Sequence, residues 1–399
     1  MVILEALNAL AGDCLLLRYP GPDGKERIWI VDGGPRRDAQ KDIYVWSDVL
    51  LPRLKELHPA PGMPVALGMV SHIDDDHING IQKLTNRLIG AKPSAPADVK
   101  FARFWFNSFE QLVGPRPAGA VGEAATASLQ SLVDPVNVPG VDDGHATLIM
   151  QSVAQGNALA ADLRTLGLQG NAPVGGFISA RKGQKKIRID GALVTIVGPL
   201  QSRLDDLRKE WAKALEKPTK AARQAALQAL FLPAKKLDKS IPNLSSIVVL
   251  VEVGGRKLLL TGDAHGDDIV SAWKALDLGN GPVRLDLLKM PHHGSIRNVT
   301  EAFLRFFVAD HYVFSADGKH DNPDAPTVEA VVKMHGQRPV TLHFTNKDIT
   351  WSAPYKLEKN GKTVRTLADL LAALHHAYPG PWTERFRAKA AKSVVVQLS

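Results

Sequence analysis

Two imidazoles and three carboxylates crowd into the six residues His72-Ile73-Asp74-Asp75-Asp76-His77, directly after Ser71. Left alone, that many neighbouring acids repel and raise one another's pKa. A divalent cation removes the conflict, because carboxylate oxygens and imidazole nitrogens are donors that Zn²⁺ and Mn²⁺ accept. A sharp loop can aim His72 and Asp74 at one ion and Asp76 and His77 at a second, so one or two ions are expected. The carboxylate-rich set makes Mn²⁺ worth testing beside Zn²⁺. The competing reading, a polar loop hydrogen-bonded only to itself, leaves the clustered acids uncompensated.

The elements that must position these groups can be read from the apolar runs. PVALGMV leads into the Ser71–His77 loop, LLLT ends at Gly262-Asp263, and LLKM ends at Pro291-His292-His293-Gly294. Each is a short buried-strand pattern that empties into polar residues, so the three should deliver Asp263, His292 and His293 to the edge that carries the loop. Taken alone, Asp263 could as well form an Asx turn at a strand end. Of His292 and His293, one may only orient its neighbour, and spacing does not tell which one faces a metal. His145 reads as a surface-loop histidine, His343 as a residue on an apolar strand, and His265 as a solvated residue at a helix start.

The frame around these runs is mixed α/β. LLLRYP and ERIWIV flank the turn-forming PGPDGK and read as a strand pair ending in Asp32-Gly33-Gly34. An amphipathic stretch covers Ser47 to Leu57, and helices are expected over Asp267 to Leu276 and Thr327 to Met334. KSVVVQL reads as a closing strand. Residues Ala91 to Gly140, around the aromatics Phe101, Phe104, Trp105 and Phe106, read as an inserted region with some helix. From Gln201 to Lys239 the pattern is helical and basic, with ten Lys or Arg against five Asp or Glu. A solvated helix pair is the first reading of that segment, and a nucleic-acid contact surface the second.

Composition bounds the function classes. The 399 residues are 45% hydrophobic and 23% charged, ordinary for a globular chain with a sizeable core. The net charge of +8 suits an anionic partner. A single cysteine, Cys14, excludes an internal disulfide and a Cys-rich zinc site, and its place in an apolar run suits a small core residue. No apolar run is long enough to span a bilayer, and Met1 to Leu17 has no basic leader region, so a cytoplasmic protein with no membrane partner is expected.

The motifs together resemble the metallo-β-lactamase superfamily. Its signature, His-x-His-x-Asp-His after a core strand, stands here as His-x-Asp-x-Asp-His, with Asp74 replacing the second histidine. That variant, with Ile78-Asn79-Gly80 behind it, is similar to the hydrolase domain of the ComEC DNA-uptake proteins and their soluble relatives. Gly12-Asp13, Ile30 to Gly34, Asn243 to Val248, Thr261-Gly262-Asp263 and Lys289 to Ser295 follow in the family's order. Where such proteins close the site with a His-Pro pair, this chain has Asn322-Pro323, with His320 two residues earlier.

The resemblance implies a four-layer αββα sandwich, a single domain over residues 1–399 with insertions at 91–190 and 201–239. It implies metal ligands His72, Asp74, Asp76, His77, Asp263 and His293, with Asp76, His292, His293 and His320 serving catalysis. The implied chemistry is hydrolysis by a metal-bound hydroxide. A phosphodiesterase or nuclease acting on nucleic acid is favoured. The alternatives are a small-molecule hydrolase acting on a lactone, thioester or cyclic nucleotide, and a catalytically inert regulatory module. Oligomeric state is open.

Overall fold

The computed structural model describes residues 1–36, 43–92, 94, 96–108, 143–215, 217 and 241–399. The first strands are β1 (Val2–Leu7), β2 (Leu15–Pro20), β3 (Glu26–Val31), β4 (Met63–Val65), β5 (Leu67–Val70), β6 (Val99–Phe101) and β7 (Phe104–Phe106). After them come β8 (Ile187–Ile189), β9 (Ala192–Gly198), β10 (Val248–Val253), β11 (Arg256–Leu260), β12 (Val283–Lys289) and β13 (Phe307–Phe314). The last are β14 (Val340–Phe344), β15 (Thr350–Lys356), β16 (Thr363–Thr366), β17 (Trp382–Phe386) and β18 (Ser393–Leu398).

They form two large sheets, one ordered β18-β1-β2-β3-β5-β7 and the other β17-β14-β13-β12-β11-β10-β9-β8. Connection length sets the strand sense. A two-residue turn at Gly254-Gly255, both at positive φ, joins β10 to β11 as an antiparallel hairpin. Helices Gly266–Ala275, Glu301–Phe306 and Ala325–His335 carry the chain back between β11, β12, β13 and β14, which therefore pair in parallel. Likewise the helix Asp75–Ile89 lies between β5 and β7, which are also parallel.

The side-chain period of two sorts the core into three apolar clusters. One takes Leu4, Leu17, Trp29 and Met69 from the first sheet and Val194, Val249, Leu287 and Val313 from the second, joining the two. A second sets Leu16, Ile28 and Ile30 against Ile78, Ile81 and Leu84 of the helix Asp75–Ile89. The third sets Leu259, Leu288 and Tyr312 against Ile269, Phe303, Val328 and Leu374 on helices of the second half. The sheets are also tied by polar contacts: buried Trp29 donates to the Tyr19 hydroxyl at 2.8 Å, which donates to the Ile189 carbonyl at 2.9 Å. Each such aromatic contributes about 1.5–3 kcal/mol through burial.

The chain is thus mixed α/β, and the strands, hairpins and helices expected around the motifs are present. The aromatic patch, expected within an inserted region with some helix, is strand instead. Phe104–Phe106 is the edge strand of the first sheet and Phe101 ends β6; Phe101, Phe104 and Phe106 pack into the cluster under the helix Asp75–Ile89, and Trp105 into the cluster between the sheets. His145 falls on the helix Asp143–Thr165, not on a loop, and its side chain lies outside the described residues. Of the basic segment, Gln201–Leu215 is helical, whereas Lys220, Arg223, Lys235, Lys236 and Lys239 lie outside the described residues. No helix among the described residues is long and apolar enough to cross a membrane.

Candidate metal centre

Three strand ends from two sheets supply the cluster. β5 runs into Ser71 to Asp74 and then into the helix Asp75–Ile89, whose first turn holds Asp75 and Asp76. Acidic side chains suit a helix N-terminus, so the motif also starts the helix that carries His77. From the other sheet, β11 runs into Asp263 and its parallel neighbour β12 into His292 and His293. Backbone bonds lock these ends together: Ile247 N–H donates to Ser71 O at 2.9 Å and His292 N–H to Gly262 O at 3.1 Å.

The approach of the helix to β3 requires glycine. A Cβ on Gly80 would lie 2.1 Å from the Gly33 carbonyl oxygen, and one on Gly33 would lie 2.3 Å from the Ile81 nitrogen. With neither Cβ present, Gly33 N–H reaches the His77 carbonyl at 2.6 Å, which seats the first helical turn against the strand.

Ligand-type atoms of Asp76, His77, Asp263 and His293 lie within 4.8 Å of one another. His77 Nε2 is 3.2 Å from Asp263 Oδ1, and His293 Nε2 is 3.5 Å from Asp263 Oδ2 and 3.4 Å from Asp76 Oδ2. His72 Nε2 lies 3.9 Å from Asp263 Oδ2 and 3.6 Å from Asp74 Oδ2, and His292 Nε2 lies 3.6 Å from Asp263 Oδ2. The Asp263 carboxylate thus lies within 3.9 Å of ring nitrogens of His72, His77, His292 and His293.

Partners behind the rings decide which nitrogen faces inward. His77 Nδ1–H donates to Asp32 Oδ2 at 2.9 Å, and Asp32 also accepts from Ser71 N–H and Oγ–H, both at 2.7 Å. The Nε2 lone pair of His77 is then directed into the cluster. His292 Nδ1 lies 3.0 Å from Asn298 Oδ1, and Asn298 Nδ2 donates to the Asp263 carbonyl at 2.9 Å. Behind His293, Asp13 Oδ1 lies 3.4 Å from Nδ1, and the other Asp13 oxygen pairs at 2.5 Å with the buried Lys289 ammonium.

The buried charges of the cluster shift one another strongly. Burial alone would lower the pKa of His77 and His293, yet Asp263, with Asp76 and Asp32 at His77 and Asp13 at His293, raises both well above the ordinary histidine value. Burial opposes the Asp263 charge, but His77, His293 and His292 hold its carboxyl well below the usual range. Asp76 is lowered in the same way. His72 Nε2, His77 Nε2, Asp263 Oδ1 and both ring nitrogens of His293 are buried with no hydrogen-bond partner among the described residues. Buried polar atoms left that way cost about 1–3 kcal/mol each, so inward-facing nitrogens and carboxylate oxygens fit a divalent ion.

Not every residue singled out in the sequence joins this group. His320 stands exposed at the rim; desolvation and Lys319 lower its pKa, and Asp76, His292 and His293 are among the charges it feels. His292, His293 and His320 all have φ between 46° and 58°, a left-handed backbone uncommon outside glycine and one that clusters at functional sites. Asn322 is buried, its Oδ1 without a partner among the described residues. His343 lies away in the second sheet, 3.1 Å from His311. His265 does precede a helix, but it is 8% exposed rather than solvated, because Asn298 and Phe303 close over Gly266. Asn298 was missed in the sequence, since a lone asparagine in a loop carries no spacing signal.

No family model matches this sequence, and no curated protein matches it. Among solved structures, the chain is similar to a point mutant of the CmlA beta-hydroxylase, with 12% identity, a TM-score of 0.37 and coverage of 100% of this chain. The chain spans about half of that protein, 54%. It is also similar to a protein of unknown function from Enterococcus faecalis, with 11% identity and a TM-score of 0.29, covering 98% of this chain and 89% of that one. At these values neither neighbour informs on activity.

Proposed function

We propose that the chain is a metal-dependent phosphodiesterase of the metallo-β-lactamase type, with an αββα layering and a ComEC-like site. The observation that carries this reading is the meeting of strand-end ligands from both sheets around Asp263, with their inward atoms buried and unpartnered. Asp76, His77, Asp263 and His293 would hold one divalent ion, and His72 and Asp74, sharing Asp263, a second. Such an ion, when bound, supplies Lewis acidity and water activated for attack near neutral pH.

The remaining residues suit an anionic substrate. Asn298 holds His292 from behind by accepting from Nδ1, and as the imidazolium His292 can also donate from Nε2 to a phosphoryl oxygen. His320 at the rim can protonate a leaving oxygen. The net charge of +8 favours a nucleic-acid backbone, whose binding weakens steeply with salt.

The test is metal content of chelator-free protein, then incubation with Mn²⁺ or Zn²⁺ and plasmid, single-stranded RNA or bis(p-nitrophenyl) phosphate, beside Asp263→Asn. Metal-dependent cleavage of a diester, lost in the variant, is expected. Cleavage of a lactone or thioester but of no diester refutes the phosphodiesterase reading, and failure to bind either metal refutes the metalloenzyme.

A further inference from the structure

Beside the metal cluster lies a cavity of about 110 Å³, roofed by the helices Gln201–Leu215 and Gly266–Ala275. Space of this kind holds a water in about 10–15 Å³, so the cavity accepts a small organic group. Its floor is apolar, with Val197, Leu244, Val248 and Ile269, and its rim carries Arg203, Asp206, His265 and Asp268. The wall toward the cluster includes Ser246, whose Oγ accepts the Asp263 backbone N–H at 3.2 Å, and Ala264.

Two rim groups are unsatisfied. His265 is 8% exposed and its Nε2 has no hydrogen-bond partner among the described residues. The Arg203 side chain is 39% exposed and pairs with Asp268 at 3.7 Å, but its buried Nε makes no hydrogen bond among the described residues. A buried donor pays for desolvation unless a ligand restores its bond. The carboxylates of Asp206 and Asp268 disfavour a bare anion. An apolar slot edged by donors and acceptors instead suits a flat, uncharged heterocycle, as pockets that take an unstacked base do.

We propose that this cavity is a nucleobase subsite, in which His265 and Arg203 bind the polar edge of a base attached to the scissile diester. The assignment rests on the phosphodiesterase reading for its substrate. Its own evidence is the cavity, the buried His265 Nε2 without a partner and the Arg203 Nε that no hydrogen bond satisfies.

The experiment has two arms on the full chain. Calorimetry with adenosine, guanosine, cytidine and uridine, with and without Mn²⁺, reads base binding apart from catalysis. Kinetics compare thymidine 5′-p-nitrophenyl phosphate with the base-free bis(p-nitrophenyl) phosphate. In the parent, at least one nucleoside binds, and the ratio of kcat/KM favours the base-bearing substrate. His265→Ala and the cavity-filling Ile269→Trp each weaken nucleoside binding and that ratio about tenfold, and His265→Gln recovers part of both. Nucleoside binding that His265→Ala removes, in a protein that cuts neither diester, upholds the subsite and overturns the phosphodiesterase reading. Cleavage of both diesters with no nucleoside bound and an unchanged ratio in the variants overturns the subsite alone, as does binding of inorganic phosphate without any nucleoside.

Discussion

Replacing Lys289 by methionine tests how the protein holds His293 in place. Lys289 and Asp13 are 0% and 1% exposed, and their 2.5 Å contact is supplemented by donation from Nζ to the Met290 carbonyl at 3.0 Å. Burial works against the Asp13 charge, and Lys289 is the largest influence lowering its pKa. Removing one partner of a buried pair costs about 3–5 kcal/mol, because the other charge is stranded. His293 Nδ1, 3.4 Å from Asp13, still offers some compensation, so the lower end, about 3 kcal/mol, is expected. Urea unfolding at neutral pH with chelator present reads this as a lower midpoint at unchanged slope. Asp13→Asn combined with Lys289→Met should recover about 2 kcal/mol relative to Lys289→Met alone, since no charge is then left unpaired. A Lys289→Met loss under about 1 kcal/mol, or additive effects in the pair, refutes a buried, coupled ion pair behind His293.

Other perturbations probe the neighbouring parts. Asp32→Ala removes the acceptor that fixes His77 and should weaken Mn²⁺ or Zn²⁺ binding about 10–100-fold by calorimetry, and unchanged affinity would mean that Asp32 does not set the ring. Gly80→Ala places a Cβ 2.1 Å from the Gly33 carbonyl. Because backbone must move, a loss of about 1–3 kcal/mol in thermal or urea unfolding is expected; wild-type stability would contradict the close packing. His343 is held neutral by burial, its pKa pushed from 6.5 down to about 3. A lowered histidine pKa stabilises the fold above 6.5, and that contribution is lost as pH falls toward 3, about 2 kcal/mol of it by pH 5. His343→Gln should therefore lose about 2 kcal/mol less than the parent between pH 7 and 5, and parallel losses in urea titrations would disprove it.

Much of the site was legible because its residues are close in sequence or mark strand ends. The spacing of His72, Asp74, Asp76 and His77 is a local pattern, and LLLT and LLKM announce by their apolarity where Asp263, His292 and His293 leave the sheet. Side-chain period also foretold the α/β frame. Less legible were residues whose importance depends on what crosses them. His265 looked solvated because the segment that packs on its neighbour Gly266, with Asn298 and Phe303, lies more than thirty residues downstream. Phe104 to Phe106 looked irregular because a three-residue edge strand has too few positions to show a period.

From the sequence alone came the kinds of ligand, the absence of a cysteine site and the order of the strand-end motifs, all set by residue type and short spacing. Only the tertiary structure decided that Asp263 lies among the rings of His72, His77, His292 and His293, that Asp32, Asn298 and the Asp13–Lys289 pair back three of the histidines, and that a cavity adjoins the cluster. Those relations join residues from separate strands and helices across two sheets. They depend on how the strands pair and how closely the helices approach, which residue type and local spacing do not encode one position at a time.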